Sequence, residues 1–177
     1  MRLLMISLLL LAPLAIAGPI NGDGTWYCFN FSEPGSFATG CTTGWEPYYS
    51  APGDAPWTFE TAGPIVLAVT DGYLQGDNFE VFDNGSSLGV TPAVLEDVDH
   101  SCAANPDLCL GDPLMSHREW ILEAGSHSLT IQVLTSPFGS GDAFFRVGDA
   151  DVPEPGSLLM LAAGLLGLGL ARKRMLR

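Results

Sequence analysis

The chain has 177 residues, and its 20 acidic residues against 7 Lys and Arg give a formal net charge of −13. Between residues 18 and 151 only Arg118 and Arg146 are basic, and 19 of the acidic residues lie in that stretch. A nucleic-acid-binding surface needs Lys and Arg to displace the counterions of the phosphates, so the composition argues against a nucleic-acid partner. The length leaves room for one ordinary domain plus processing segments.

The N-terminal segment has the layout of a secretory signal peptide. A single arginine precedes a short apolar stretch, and Ala15 and Ala17 form a small-x-small cleavage pattern before Gly18. No stop-transfer flank follows, which disfavours a retained membrane anchor. We therefore expect residues 1–17 to be removed by signal peptidase, so that the mature chain begins outside the cytoplasm.

The four cysteines are Cys28, Cys41, Cys102 and Cys109. In an exported chain an even number of cysteines indicates disulfides, and four of them allow three pairings. Proximity in the chain favours Cys28–Cys41 and Cys102–Cys109. The alternative, a zinc site, lacks a CxxC pair and suitably spaced histidines.

The C-terminal segment, residues 152–177, combines a rigid motif, an apolar run and a basic tail. The two prolines within residues 153–155 favour a stiff, extended backbone that cannot join a following helix. We predict a transmembrane helix over residues 157–171, whose apolar run spans about 21 Å at the helical rise. That is less than the roughly 30 Å of the hydrocarbon core, so the helix is a marginal permanent anchor. The basic tail, residues 172–177, favours a cytoplasmic end.

This segment resembles the PEP-CTERM sorting signal of exported bacterial proteins. The residues that carry the resemblance, before and after the apolar run, are Pro153, Glu154, Pro155, Arg172, Lys173 and Arg174. The resemblance implies recognition and removal by exosortase, a membrane-embedded cysteine protease–transpeptidase of Gram-negative bacteria that make extracellular polysaccharide. It also implies that the inner membrane holds the protein only transiently. The alternative is an ordinary single-pass tail anchor.

The middle of the chain, residues 18–151, contains many short β-rich runs separated by Gly, Pro, Asn and Asp. Alternation is clearest where Leu129, Ile131 and Val133 share one face. The predicted strands cover residues 25–31, 56–61, 64–71, 78–84, 87–91, 118–123, 128–135 and 143–148. This pattern predicts an all-β fold, a jelly-roll-like antiparallel β-sandwich, flanked by the signal-peptide helix and the C-terminal transmembrane helix.

A second, looser resemblance covers about half of this ectodomain. The stretches GDNFEVFDNGSSLGVT (residues 76–91) and GSHSLTIQVLTSPFGSGDAFFRV (residues 125–147) are similar to ectodomains that often precede PEP-CTERM tails. The resemblance implies a β-sandwich of the kind used by carbohydrate-binding modules. It implies no particular activity.

No catalytic motif is evident in the ectodomain. There is no G-x-S-x-G nucleophile elbow around which His100 or His127 would complete a triad. Glycoside hydrolysis needs two facing carboxylates, but so many acidic residues make some pair inevitable. We therefore predict no catalytic residues and no enzyme activity.

Several oxygen-bearing side chains lie at predicted strand ends and turns. Asp77, Asp83 and Asp142 are the calcium candidates among them, because calcium takes six to eight oxygen ligands, often from loops. The alternative is that these residues are turn formers that hydrogen-bond the backbone. No EF-hand motif is present, so we predict no cofactor, with calcium as the metal that these residues would suit.

The predicted sugar-binding surface consists of aromatic residues near a Pro- and Gly-rich loop. Its members are Trp45, Tyr48, Tyr49, Trp57 and Tyr73. Aromatic rings offer a large contact area at a low entropic cost, which suits the CH-rich faces of sugars. The alternative is that these rings cover the sandwich as core or lid.

These observations predict an exported, non-catalytic protein of the cell surface or extracellular matrix. Exosortase and signal peptidase are its expected processing partners, and extracellular polysaccharide is its expected ligand. One alternative is a purely structural matrix protein with no small ligand. A weaker alternative is a glycan-active hydrolase.

Overall fold

The computed structural model describes residues 18–42, 48–94 and 99–149. The predicted signal peptide, with Ala15 and Ala17, lies outside these residues, as do the predicted transmembrane helix and the whole sorting segment from residue 152. Within the described ranges, no helix is both long and apolar enough to cross a membrane.

The described residues form twelve strands and one short helix, so the all-β prediction is confirmed. The strands are β1 (Gly18–Pro19), β2 (Trp26–Phe31), β3 (Thr39–Gly40), β4 (Trp57–Thr61), β5 (Ile65–Asp71), β6 (Tyr73–Leu74), β7 (Asn78–Asp83), β8 (Ser86–Val90), β9 (Ser101–Ala103), β10 (His117–Leu122), β11 (Gly125–Thr135) and β12 (Gly141–Gly148). The helix is α1 (Pro106–Gly111). All eight predicted strands are present, with ends that differ from the prediction by at most three residues.

The strands form two five-stranded sheets and a small two-stranded ribbon. The back sheet has the order β1-β4-β11-β7-β8, the front sheet has the order β10-β5-β12-β2-β3, and β6 pairs with β9. Most neighbours are antiparallel, but β1 pairs with β4 in parallel, with Gly18 opposite Trp57. The prediction of an antiparallel sandwich therefore does not extend to this edge pair. The finer jelly-roll assignment stays a prediction.

One large hydrophobic cluster fills the space between the two sheets. Leu129, Ile131 and Val133 face this core, as the alternation predicts. Trp57 also belongs to it: the ring is 0% exposed, lies 4.6 Å from the Phe145 ring and donates from Nε1 to the Gly53 carbonyl at 2.9 Å. The prediction of Trp57 as part of a sugar-binding surface is therefore wrong, because no sugar can reach its face.

A second, smaller cluster lies on the outer face of the front sheet. Both predicted disulfides, Cys28–Cys41 and Cys102–Cys109, are present and belong to it. Helix α1 covers this face, and the side chain of Asn105 caps its first turn by accepting from the backbone N–H groups of Asp107 and Leu108. An Asn cap followed by proline is a favourable helix start, which explains why so short a helix forms here.

Candidate functional site

The outer face of the front sheet carries a ladder of polar and aromatic side chains. Strand β2 pairs antiparallel with β12, so that Trp26 lies opposite Arg146 and Asn30 opposite Asp142. Directly opposed residues in a sheet point to the same face. The positions between them, such as Phe29, face the core. The side chains of β2 therefore alternate between the core and this outer ladder.

Four cavities run along this outer face, and we call them together the front groove. Their volumes are about 400, 310, 210 and 150 Å³. Neighbouring cavities share lining residues: Gly24 joins the first two, Tyr49 the second and third, and Tyr73 with Asp142 the last two. The linings of the four cavities therefore overlap from one end of the front groove to the other.

Three predicted sugar-binding residues line the front groove. The chain runs beside β2 at this point, since the Ser50 N–H donates to the Trp26 carbonyl at 2.8 Å. This contact places Tyr48, which is 42% exposed, and Tyr49, whose ring lies 5.0 Å from that of Phe144. The hydroxyl groups of Tyr49 and Tyr73 lie 3.2 Å apart. Burial, together with the Tyr49 hydroxyl, raises the pKa of Tyr73.

Trp26, Arg146 and Asp107 form a compact stack in the groove that the sequence patterns did not single out. The guanidinium of Arg146 lies 4.8 Å from the centre of the Trp26 ring. Trp26 Nε1 donates to Asp107 Oδ1 at 2.9 Å, and Arg146 Nη1 approaches the same oxygen at 3.5 Å. This arrangement fixes a planar cation on an aromatic face, a favourable geometry for Arg. The sequence offered one signal for Trp26: it alternates with Cys28 and Asn30 along β2, so these three residues share the outer face of the sheet.

The smallest cavity, which we call the end cavity, contains two carboxyl groups. Asp77 and Asp142 both line it. Asp77 is 4% exposed, and burial raises its pKa to about 6, a rise that the nearby Ser136 hydroxyl partly offsets. Burial also raises the pKa of Asp142, whose Oδ1 accepts from the Asn30 side-chain amide.

A third carboxyl group, Asp71, holds the loop that leads to the end cavity. It is fully buried, and its Oδ2 accepts from the N–H groups of Gly76 and Asp77, both at 3.1 Å. Burial and the neighbouring charge of Asp77 raise the pKa of Asp71 to about 8. The backbone bonds anchor Asp77 where it borders the cavity.

The structure separates the remaining candidates. Asp83 lies at the far end of β7 from Asp77, where its Oδ2 contacts His127 Nδ1 at 2.8 Å. His100 contacts Asp112 at 2.7 Å, and His117 contacts the Met115 carbonyl at 2.9 Å. Trp45 lies outside the described residues.

The described residues include no group of three or more His, Cys, Asp and Glu side chains arranged to hold a metal ion. The predicted calcium residues therefore divide into a pair in the end cavity and a separate Asp83. This pair could supply only part of a calcium coordination shell, which needs six to eight oxygens.

Comparison with known proteins bears on the C-terminal segment. A family model described as the PEP-CTERM protein-sorting motif matches residues 151–174. Comparisons of the chain with curated proteins and with solved structures gave no match. The matched residues include the motif Pro153, Glu154 and Pro155 and the basic cluster that follows the apolar run. The chain is therefore an exported protein that carries a PEP-CTERM sorting motif and is sorted by exosortase.

Proposed function

We propose that the β domain is a non-catalytic module of the cell surface or extracellular matrix that binds polysaccharide along the front groove. The observation that carries this proposal is the placement of Tyr48, Tyr49 and Tyr73 along neighbouring cavities that share lining residues and also hold hydrogen-bonding groups. Sugars are recognised by apolar contact with aromatic faces combined with polar groups at fixed positions. A shallow, elongated groove suits a chain of sugar units better than a single small molecule.

The polar groups of the groove are spaced along its length. Asp107 lines the second cavity, and Asn30, Thr42 and Asp142 line the third. Carboxylate and amide groups can together accept from and donate to sugar hydroxyls. The disulfide Cys28–Cys41 borders the same cavity and restrains its wall.

Affinity electrophoresis tests this proposal with the full-length protein in gels that contain neutral soluble glucan, xylan or galactomannan. The wild type should be retarded by at least one of them. The variant Tyr48→Ala should bind about three- to tenfold more weakly, because a single aromatic contact contributes about 0.5–1.5 kcal/mol. Phe37→Ala is the matched control, since Phe37 is 57% exposed and pairs with Gln132 of the back sheet. No retardation by any polysaccharide would favour a purely structural matrix role, which the excess of acidic residues also suits.

A glycan-active hydrolase is the second candidate function. The structure favours it in one respect, because Asp77 and Asp142 line one cavity and glycoside hydrolysis uses a pair of carboxyl groups. Release of new reducing ends from the retarding polysaccharide, lost in Asp142→Asn, would contradict the non-catalytic proposal. Retardation without release would support it.

We also propose that exosortase removes the sorting segment, so that the inner membrane holds the protein only until cleavage. Mass spectrometry of the exported protein tests this step. The mature form should begin at Gly18 and lack the basic tail, residues 172–177. An exported form that retains that tail would contradict the proposal.

A further inference from the structure

Tyr73 has a backbone conformation that a tyrosine rarely adopts. Its φ angle is 59°, in the left-handed region that is unfavourable for a residue with a bulky side chain. Tyr73 is the first residue of β6 and pairs with Ala103 of β9. Strained residues persist only where the surrounding structure holds them, and they cluster at binding and active sites. The conformation therefore indicates that another group holds Tyr73 and that its position has a use.

This conformation places the Tyr73 side chain in the front groove. Its ring lies 6.1 Å from that of Phe144, its hydroxyl lies 3.2 Å from that of Tyr49, and it lines two neighbouring cavities. The preceding backbone passes very close to the sheet, since a Cβ atom at Gly72 would lie 2.6 Å from Cε2 of Phe144 and 2.8 Å from the Asp142 carbonyl oxygen. The chain thus turns directly against Phe144, and Tyr73 lies where the two cavities adjoin.

The carboxyl group of Asp71 holds the backbone on both sides of Tyr73. Its Oδ1 accepts from the N–H of Gly72 at 2.8 Å, and its Oδ2 accepts from the N–H groups of Gly76 and Asp77 at 3.1 Å. Asp71 is the last residue of β5 and is 0% exposed. Burial of a carboxyl group is unfavourable unless hydrogen bonds compensate it, and here all three bonds go to the loop that carries Tyr73.

We propose that Asp71 is a positioning residue of the front groove, which holds the loop of residues 72–77 so that the Tyr73 ring is in place before the polysaccharide arrives. This inference rests on the proposed function and identifies what prepares its binding surface. A preformed aromatic face binds more tightly because the ring need not be ordered at the moment of binding. Since Asp71 is 0% exposed, it acts through Tyr73 and does not touch the sugar.

Asp83 provides a matched control in the back sheet. It is the last residue of β7, as Asp71 is of β5. Its Oδ1 also accepts from a backbone N–H, that of Ser128 at 3.1 Å, and its Oδ2 contacts His127 Nδ1 at 2.8 Å. Asp83 therefore supports a turn of the same domain at a distance from the front groove.

The test is affinity electrophoresis of the full-length protein in whichever of soluble glucan, xylan or galactomannan retards the wild type. Asp71→Asn keeps the shape of the side chain, but an amide nitrogen cannot accept, so at least one N–H group of the loop loses its partner. This variant should bind about three- to tenfold more weakly, since it can remove at most the contribution of one aromatic contact. Asp83→Asn should keep the affinity of the wild type. The unfolding temperature of each variant shows whether it is folded in the assay.

A double variant separates positioning from general support of the fold. If Asp71 acts through Tyr73, then Asp71→Asn/Tyr73→Ala should bind as weakly as Tyr73→Ala alone, because the ring that Asp71 places is already absent. Independent effects add in free energy and therefore multiply in affinity. A double variant whose loss equals the product of the two single losses would show that Asp71 does not act through Tyr73.

Two substitutions at Tyr73 test the strain without altering Asp71. Glycine adopts a positive φ without steric conflict, whereas alanine does not. Tyr73→Gly should therefore unfold at a higher temperature than Tyr73→Ala. At an ordinary strand position the order is the reverse, because glycine weakens a strand. A higher unfolding temperature for Tyr73→Ala would overturn the strained conformation and the inference with it.

The remaining outcomes separate this inference from the proposed function. Wild-type affinity in a folded Asp71→Asn variant would overturn the inference and leave polysaccharide binding in place. An Asp71→Asn variant that does not fold would assign the carboxyl group to general stability, which also overturns its positioning role. If no polysaccharide retards the wild type, the proposed function fails and the inference fails with it.

Discussion

The two hydrophobic clusters of the domain are built in different ways. The inner cluster fills the space between the sheets with large alternating side chains such as Phe29, Leu67 and Phe145. The outer cluster lies on the front sheet and combines a few apolar residues, such as Trp26 and Phe144, with both disulfides. Regular strands supply the first cluster, while the second combines outward-facing strand residues with short connecting segments that the disulfides hold.

The difference shows where covalent bonds are needed. A sandwich core buries enough apolar surface to hold its strands, but a thin outer layer does not, and exported domains commonly compensate with disulfides. Both bonds also support segments of the candidate site. Cys28–Cys41 lines the front groove, and Cys102–Cys109 holds helix α1, which contributes Asp107. The disulfides therefore hold the segments that line the front groove and leave the core to the strands.

The largest expected effect on stability comes from substitutions of Phe144 and Phe145, which are adjacent in β12 and belong to different clusters. Phe145→Ala should lower the free energy of unfolding by about 3–5 kcal/mol, because it leaves a cavity in the inner core. Phe144→Ala should cost about 2 kcal/mol, since its surroundings border the open groove and can relax. Both rings are fully buried in the wild type. Urea unfolding measures both values, and an equal or larger loss for Phe144→Ala would contradict the distinction between the clusters.

Removal of the disulfides should have the next largest effect. The chain-entropy relation gives a cost of about 3 kcal/mol for Cys28→Ala/Cys41→Ala and about 2 kcal/mol for Cys102→Ala/Cys109→Ala. The difference follows from sequence separations of 13 and 7 residues. Urea unfolding of both double variants checks the order. If the outer layer is cross-linked for function, both variants should also lose affinity for polysaccharide while their far-UV spectra stay β-type.

The two buried carboxyl groups of Asp71 and Asp77 should make the free energy of unfolding depend on pH. The pKa values of Asp71 and Asp77 are raised from 3.8 to about 8 and about 6, so the folded state holds these protons more tightly than the unfolded state. This contribution is complete below about pH 4 and is lost as the pH rises through 6 and 8. Asp77→Asn removes one charge and should raise the free energy of unfolding at pH 8 by on the order of 1 kcal/mol. Urea unfolding between pH 4 and 8 measures the slope.

Asp112 provides a control of opposite sign. A hydrogen bond to His100 is the main cause that lowers the pKa of Asp112, so its contribution is present at neutral pH and is lost on acidification. Asp112→Asn should therefore reduce stability at neutral pH and have little effect near pH 3. If the free energy of unfolding of the wild type rises steadily from pH 4 to 8, and does so equally in Asp77→Asn, then Asp71 and Asp77 do not destabilise the fold at high pH as predicted.

The inner cluster could be predicted from the sequence, and most of the outer layer could not. The alternation in β11 and the β-rich runs around it predicted all eight long strands, because period two is a direct consequence of strand geometry. Strands β3, β6 and β9 are two or three residues long and carry no periodic signal. Helix α1 was missed although its Asn105-Pro106 start is a recognised signal, because it spans less than two turns.

The candidate site was predicted in pieces, without the relation between them. Tyr49 and Tyr73 were proposed for sugars, and Asp77 and Asp142 for calcium, but only the fold brings these residues to neighbouring cavities. Trp57 was assigned to the surface because an aromatic residue in a Pro- and Gly-rich stretch has the same local sequence whether it is buried or exposed. Trp57 is buried because it is the first residue of β4 and its side chain faces the core.

The smallest expected effect tests whether binding belongs to the front sheet alone. Phe37 lies by the back sheet, 57% exposed, with its ring 6.2 Å from that of Phe82. Exposed substitutions usually change stability by less than about 0.5 kcal/mol, so Phe37→Ala should match the wild type in urea unfolding and in polysaccharide retardation. A variant that folds normally but loses retardation would move the binding surface to the opposite sheet. In that case the cross-linked layer would serve only to protect the front sheet, and the tyrosines in its groove would be a lid over the outer cluster.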